Sequence, residues 1–192
     1  MAPGPLPEAA GSDPLERLPE MARASVEHGL HHGAAPPVRL EDWPDELRRQ
    51  GASFVTLRRR SALRGCVGSL EPHRPLVVDV AENAYKAAFC DGRFPPLTPR
   101  ELEDLEVHVS VLAPLERLDV GSEAELLARL RPGIDGLVLC EGPRRATFLP
   151  AVWESLSSPE AFLRALEEKA GLAGRPWSPK REAYRYSVRE LS

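Results

Sequence analysis

The sequence is short of the features that would mark a membrane, a metal or a nucleic acid as its business. No apolar run approaches the ~20 residues of a membrane-spanning helix, so an integral helical membrane protein is excluded. Cysteine is scarce. Cys66, Cys90 and Cys140 are odd in number and none stands in a CxxC pair, so neither a disulfide framework nor a zinc knuckle is expected. With 6% aromatic residues and a formal net charge of -4, the chain has little to stack on bases or to attract phosphate, which argues against nucleic acid as a partner. Arg58-Arg59-Arg60 is a local exception and reads as a solvated hairpin end. The first residues lack the cationic start and apolar core of a secretory signal, so a reducing, cytoplasmic setting is expected. Residues 1–13 are rich in proline and glycine and read as a disordered lead, with residues 14–192 as a single domain.

What the chain does carry is a mixture of strand and helix patterns without a regular βαβ rhythm. Residues 54–57 and 63–70 read as a hairpin turned by residues 58–62, and residues 136–140 and 146–149 as a second. Helical spacing runs over residues 18–28, stopped by Gly29, with Leu18, Met21, Ala22, Ser25 and Val26 as its buried stripe. A longer helix is read over residues 76–90. Capping-box spacing opens short helices at Thr98 and Ser122, and Ser158-Pro159 opens another. Val107, Val109 and Val111 alternate with His108 and Ser110, putting the valines on a core face and the imidazole and hydroxyl on the other. Tyr184, Tyr186 and Val188 alternate as a last strand. The hairpins favour antiparallel pairing and an α+β fold. His28, His31 and His32 crowd one helix end, but the flanking glycines suggest a loose, solvated terminus, and no metal site is expected.

The most informative stretch is Leu63-Arg64-Gly65-Cys66-Val67-Gly68. In a regular strand Arg64 and Cys66 share one face, while Leu63 and Val67 take the core. A guanidinium beside a thiol favours thiolate, so Cys66 is a candidate nucleophile polarised by Arg64, with the Gly65 and Gly68 amides as oxyanion donors. His108 would be its base if the two strands are neighbours. Arg93 and Phe94, in the stiff segment Arg93-Phe94-Pro95-Pro96-Leu97, are candidate substrate contacts, though Arg93 would equally pair with a carboxylate and fasten its loop. Asn83 is a further candidate that reaches from the helix or else stays an exposed amide, and Ser110 shares the face of His108. The competing reading makes Cys66 a small packed side chain in a groove that binds a partner or substrate without chemistry. Cys90 and Cys140 read as core positions.

In this order Phe54-Val55-Thr56-Leu57, the LRGCVG stretch, residues 91–97 (DGRFPPL), Val109-Ser110-Val111-Leu112, Asp135-Gly136, Phe148-Leu149-Pro150 and Lys169-Ala170-Gly171-Leu172 resemble the AMMECR domain family over roughly residues 15 to 188. The resemblance implies a mostly antiparallel sheet flanked by helices, with a smaller lobe. It implies no particular reaction and leaves any cofactor unknown. The chain is similar to protein A of the AmmeMemoRadiSam system, which implies a Memo-family protein and a radical S-adenosylmethionine protein as partners, and leaves room for a small-molecule ligand. It departs from the family pattern at Ser61, where glycine is usual, and at His108, where a carboxylate or small polar residue is.

Overall fold

The computed structural model describes residues 13–192, so the lead expected over residues 1–13 lies, except for Asp13, outside the described residues. In chain order the elements are α1 (Leu18–His32), α2 (Asp45–Arg48), β1 (Gln50–Arg59), β2 (Ala62–Gly68), β3 (Arg74–Pro75), α3 (Leu76–Phe89), β4 (Leu105–Leu112), β5 (Glu116–Leu118), α4 (Glu123–Arg129), β6 (Gly136–Glu141), β7 (Arg144–Phe148), α5 (Pro159–Ala170), β8 (Arg181–Tyr186) and β9 (Val188–Leu191). They divide into two compact units, one up to Leu112 with Arg189–Ser192, the other Ala113–Val188. The fold is α+β with mainly antiparallel sheets flanked by helices.

In the larger unit the strands lie in the order β2-β1-β4-β9, with β3 also on β1. Leu18, Met21 and Val26 of α1 and Val77, Val80 and Ala84 of α3 pack on Val55, Leu57 and Val109 of the sheet. The alternation of β4 is as its sequence predicts. α1, however, runs on to His32 instead of stopping at Gly29. A Cβ on Gly29 would meet the Phe89 ring at 2.4 Å and Tyr85 at 2.8 Å, so this glycine lets α1 and α3 approach. The cap is Gly33, at φ 67°, whose N–H donates to Gly29 O.

Arg60 and Ser61 turn the β1–β2 hairpin with φ of 51° and 66°. Both residues being left-handed is the signature of a two-residue type I′ turn. A non-glycine residue pays for that conformation, so Ser61→Gly is expected to stabilise the chain by about 0.5–1 kcal/mol. Thermal denaturation should show a midpoint raised by a few degrees; an unchanged or lower midpoint would contradict the turn assignment.

Past this turn the register slips between Leu57 and Arg58: Leu57 faces Gly65 and Arg58 faces Leu63, leaving Arg64 as the extra residue of a β-bulge. Strict alternation therefore fails where it was needed. Leu63, expected in the core, stands on the opposite face and is 40% exposed, while Val67 does pack on the core.

In the smaller unit the strands are antiparallel in the order β5-β8-β6-β7. Leu137, Leu139 and Ala183 of this sheet pack with Phe162, Leu163 and Leu166 of α5. α5 begins at the expected Ser158 cap and ends at Gly171, φ 71°, with Leu172 N–H bonded back to Glu167 O. The last strand, read as continuous, is two. β8 stays in this sheet, Ser187 breaks the run by giving its carbonyl to Ala113 N–H, and β9 joins the larger one.

Candidate functional site

β2 is an edge strand, so every second amide and carbonyl faces away from the ladder and needs another partner. At Cys66 the segment after α3 supplies it. Cys66 N–H donates to Asp91 Oδ2 at 2.9 Å, and Arg93 Nη2 donates to Cys66 O at 3.2 Å and to Asp91 Oδ2 at 2.6 Å. Hydrogen bonds from Arg93, and secondarily the Cys66 amide, hold the Asp91 carboxyl far below the usual carboxylate range despite its burial. Further along, the same segment takes Arg64. Its Nη2 donates to Pro95 O at 2.8 Å and its Nε to Glu101 Oε1 at 2.7 Å. Glu101 Oε2 accepts from Thr98 N–H and Oγ1, forming the capping box its spacing predicts. Chiefly through Arg64, the Glu101 carboxyl is lowered to about 2. Phe94 lies beside both guanidinium groups, 5.9 Å from that of Arg64 and 5.5 Å from that of Arg93. The LRGCVG and DGRFPPL stretches are thus bonded to one another.

This clasp revises the expected geometry of the thiol. Arg64 is 9% exposed and turned to Glu101, because the bulge takes it out of alternation with Cys66. Arg93 is the guanidinium that responds to Cys66, but Asp91 dominates its environment and brings a compensating negative charge. The glycines are accounted for by packing. A Cβ on Gly65 would lie 2.1 Å from Ala87 O of α3, and one on Gly68 would lie 2.2 Å from the Phe54 ring. With the Cys66 amide turned outward, antiparallel alternation leaves the Gly65 amide within the β1 ladder.

Thr56 pairs with Cys66 on one side and His108 on the other. Thiol, hydroxyl and imidazole therefore stand in line across β2, β1 and β4 on the face turned away from α1 and α3, and Thr56 Oγ1 donates to Cys66 Sγ at 3.3 Å. β4 does not adjoin β2, so the condition for His108 to be a direct base is not met: two strand spacings separate it from Cys66, about 10 Å. His108 Nε2 is buried without a hydrogen-bond partner, with Glu106 Oε2 at 3.9 Å. In the adjoining row Phe54 stands between Gly68 and Ser110, and Ser110 Oγ donates to Glu190 Oε2 at 2.8 Å. Exposure falls along this face, from Arg58, Leu63 and Glu106, through half-buried Cys66, Thr56 and His108, to buried Ala52 and Leu112.

Asn83 is not brought to this face. It is 1% exposed on the helix side of the sheet, where its Nδ2 donates to Ser53 O and Asp79 Oδ2. Asp79, fully buried, also accepts from Ser53 N–H and Oγ, Ser69 Oγ and Arg74 Nε. Of the other cysteines, Cys90 is exposed rather than in the core, and Cys140 is half-buried, its thiol pushed up chiefly by burial. Thr56 and Glu190 were missed by sequence reasoning. The alternation of β1 carried a signal for Thr56, but nothing local linked Glu190 to Ser110. Among the described residues no group of three or more His, Cys, Asp or Glu converges to hold a metal, and no helix is long and apolar enough to cross a membrane.

Fold and clasp together define a class: α+β proteins in which an arginine-proline segment closes over a cysteine-bearing edge strand. The family follows from comparison, since the AMMECR1 family profile matches residues 19–191 and the chain belongs to that family. It is 39% identical over 178 residues to a protein of Methanothermobacter thermautotrophicus, covering 89% of this chain and 90% of that one. A protein of Thermotoga maritima is 38% identical over 151 residues, 77% of this chain and 82% of its own. The crystal structure of the uncharacterized protein PH0010 from Pyrococcus horikoshii matches with a TM-score of 0.83 at 33% identity, covering 91% of this chain and 89% of that one.

Proposed function

We propose that this chain is a binding module of the AmmeMemoRadiSam system, holding a protein partner on the face that bears Leu63, Cys66, Thr56 and His108. The observation that carries this reading is the neutralisation of both guanidinium groups near the thiol. Arg64 is closed onto Glu101 and Arg93 onto Asp91, so the sulfur is a contact group on a face rather than an attacking nucleophile. Leu63, apolar and 40% exposed, offers an anchor at the outer end of that face. The Memo-family protein and the radical S-adenosylmethionine protein implied by the resemblance are the partners assigned here. A cysteine-dependent modification enzyme is the second reading, favoured by the Thr56 hydroxyl on Cys66 Sγ in line with His108.

Calorimetric titration with a purified Memo-family protein tests the first reading. Cys66→Ser should leave the affinity nearly intact, and Leu63→Asp should weaken it by about tenfold or more. Absence of binding by the unaltered chain, a large loss in Cys66→Ser, or no loss in Leu63→Asp would overturn it.

A further inference from the structure

Two opposite charges meet at the backbone of Cys66, and both come from the turn that follows α3. Asp91 Oδ2 accepts from the Cys66 N–H at 2.9 Å, while Arg93 Nη2 donates to the Cys66 carbonyl at 3.2 Å. A cysteine sulfur is bonded directly to Cβ, so groups touching its own amide and carbonyl lie within several ångströms of Sγ in any rotamer. Arg93 holds Asp91 with both arms of its fork, Nε on Oδ1 at 2.9 Å and Nη2 on Oδ2 at 2.6 Å, and Phe94 N–H closes the turn on Asp91 O at 3.0 Å. The other charged groups of this face are directed elsewhere. Arg64 is bonded to Glu101 and Arg58 to Ser61 O, Glu106 stands in the next row, and His108 is two strands away. What α3 presents here is the Ala87 carbonyl, beside Gly65, and what β1 presents is the Thr56 hydroxyl on Sγ. The thiol therefore lies between one carboxylate and one guanidinium. A neighbouring cation favours thiolate and a neighbouring anion opposes it.

We propose that Asp91 is the restraint on Cys66: its charge opposes the activation that Arg93 would otherwise give the sulfur, and loss of this one negative charge turns a contact thiol into a reactive one. Resting on the reading of Cys66 as a contact group, this assignment adds the residue that keeps it one. Asp91 acts through Arg93 and touches no reacting atom, so it is a positioning residue. Asparagine at position 91 keeps a carbonyl oxygen for the Cys66 N–H and removes the charge.

The test is the pH profile of iodoacetamide alkylation of the full chain, followed at Cys66 by peptide mass spectrometry with Cys140 as internal reference. The unaltered chain is compared with Asp91→Asn, Arg93→Gln and the double variant, circular dichroism confirming the fold of each; Asp91→Ser serves where Asp91→Asn does not fold. In Asp91→Asn the Cys66 rate at pH 7 should rise about tenfold, with the profile moved about one pH unit to the acid side. Arg93→Gln should move it the other way, and the double variant should return close to the unaltered chain. A profile unmoved in Asp91→Asn, a rate raised without that movement, or a rate raised equally in the double variant would overturn the restraint, the last two showing only a loosened turn. No partner protein enters this assay, so its failure is distinct from a failure of the binding reading.

Discussion

Gly65→Ala is expected to destabilise the chain by about 3 kcal/mol or more, lowering the thermal midpoint by roughly 10 °C. The added methyl would meet the Ala87 carbonyl at 2.1 Å, and that carbonyl is helix backbone. It moves only if α3 moves, and α3 is seated on β1 through Val77, Val80 and Ala84, all fully buried. A flexible side chain in the same place would step aside at little cost. Gly92→Ala supplies the comparison, because a Cβ there meets nothing within 4 Å, and it should change stability by only a few tenths of a kcal/mol. Equal urea midpoints for the two variants would mean that β2 and α3 are not in close contact.

Glu101→Ala should have an effect of comparable size, a loss of about 3–5 kcal/mol. The Arg64 and Glu101 side chains are only 11% and 15% exposed, so removing the carboxylate strands a guanidinium that water reaches poorly. Arg64 Nη1 is already buried without a partner, so the Nη2 bond to Pro95 O would be its one remaining hydrogen bond. A double variant, Arg64→Leu with Glu101→Leu, should be less destabilised than Glu101→Leu alone, since the penalty of an unpaired charge disappears. The pair also sets an acid dependence. Glu101 is lowered from 4.5 to about 2 in the folded chain, so its contribution is complete above the unfolded value and is lost as pH falls from 4.5 towards 2. Asp91, depressed by Arg93, works in the same direction. Thermal midpoints of the unaltered chain should therefore fall over that interval more steeply than those of Glu101→Gln; parallel curves would contradict the assignment.

Much of this architecture is legible locally. The valine alternation of β4 placed His108 and Ser110 on one face, the stripe from Leu18 to Val26 gave the buried side of α1, and the caps at Thr98, Ser122 and Ser158 opened helical turns where side chain and backbone chemistry require them. What escaped depends on contacts distant in sequence or on one-residue irregularities. The bulge at Arg64 has no local signature, yet it turns Leu63 outward and takes the guanidinium away from the thiol. Gly29 reads as a helix stop until Phe89, sixty residues later, is seen against it. Asn83 and Asp79 lie one turn apart beside the buried Val80 and Ala84, a hint that their polar groups face inward, but their partner Ser53 comes from β1, distant in sequence. The order β2-β1-β4, which sets Thr56 between Cys66 and His108, is likewise a property of the assembled sheet.

That the Cys66 sulfur serves as a contact and not as a nucleophile is tested most directly by native alkylation with iodoacetamide, following each cysteine by peptide mass spectrometry. Cys90, exposed at the end of α3, should label first, with half-buried Cys66 trailing it. Cys66 labelling well ahead of Cys90 would show an activated thiol and restore the case for chemistry at this strand.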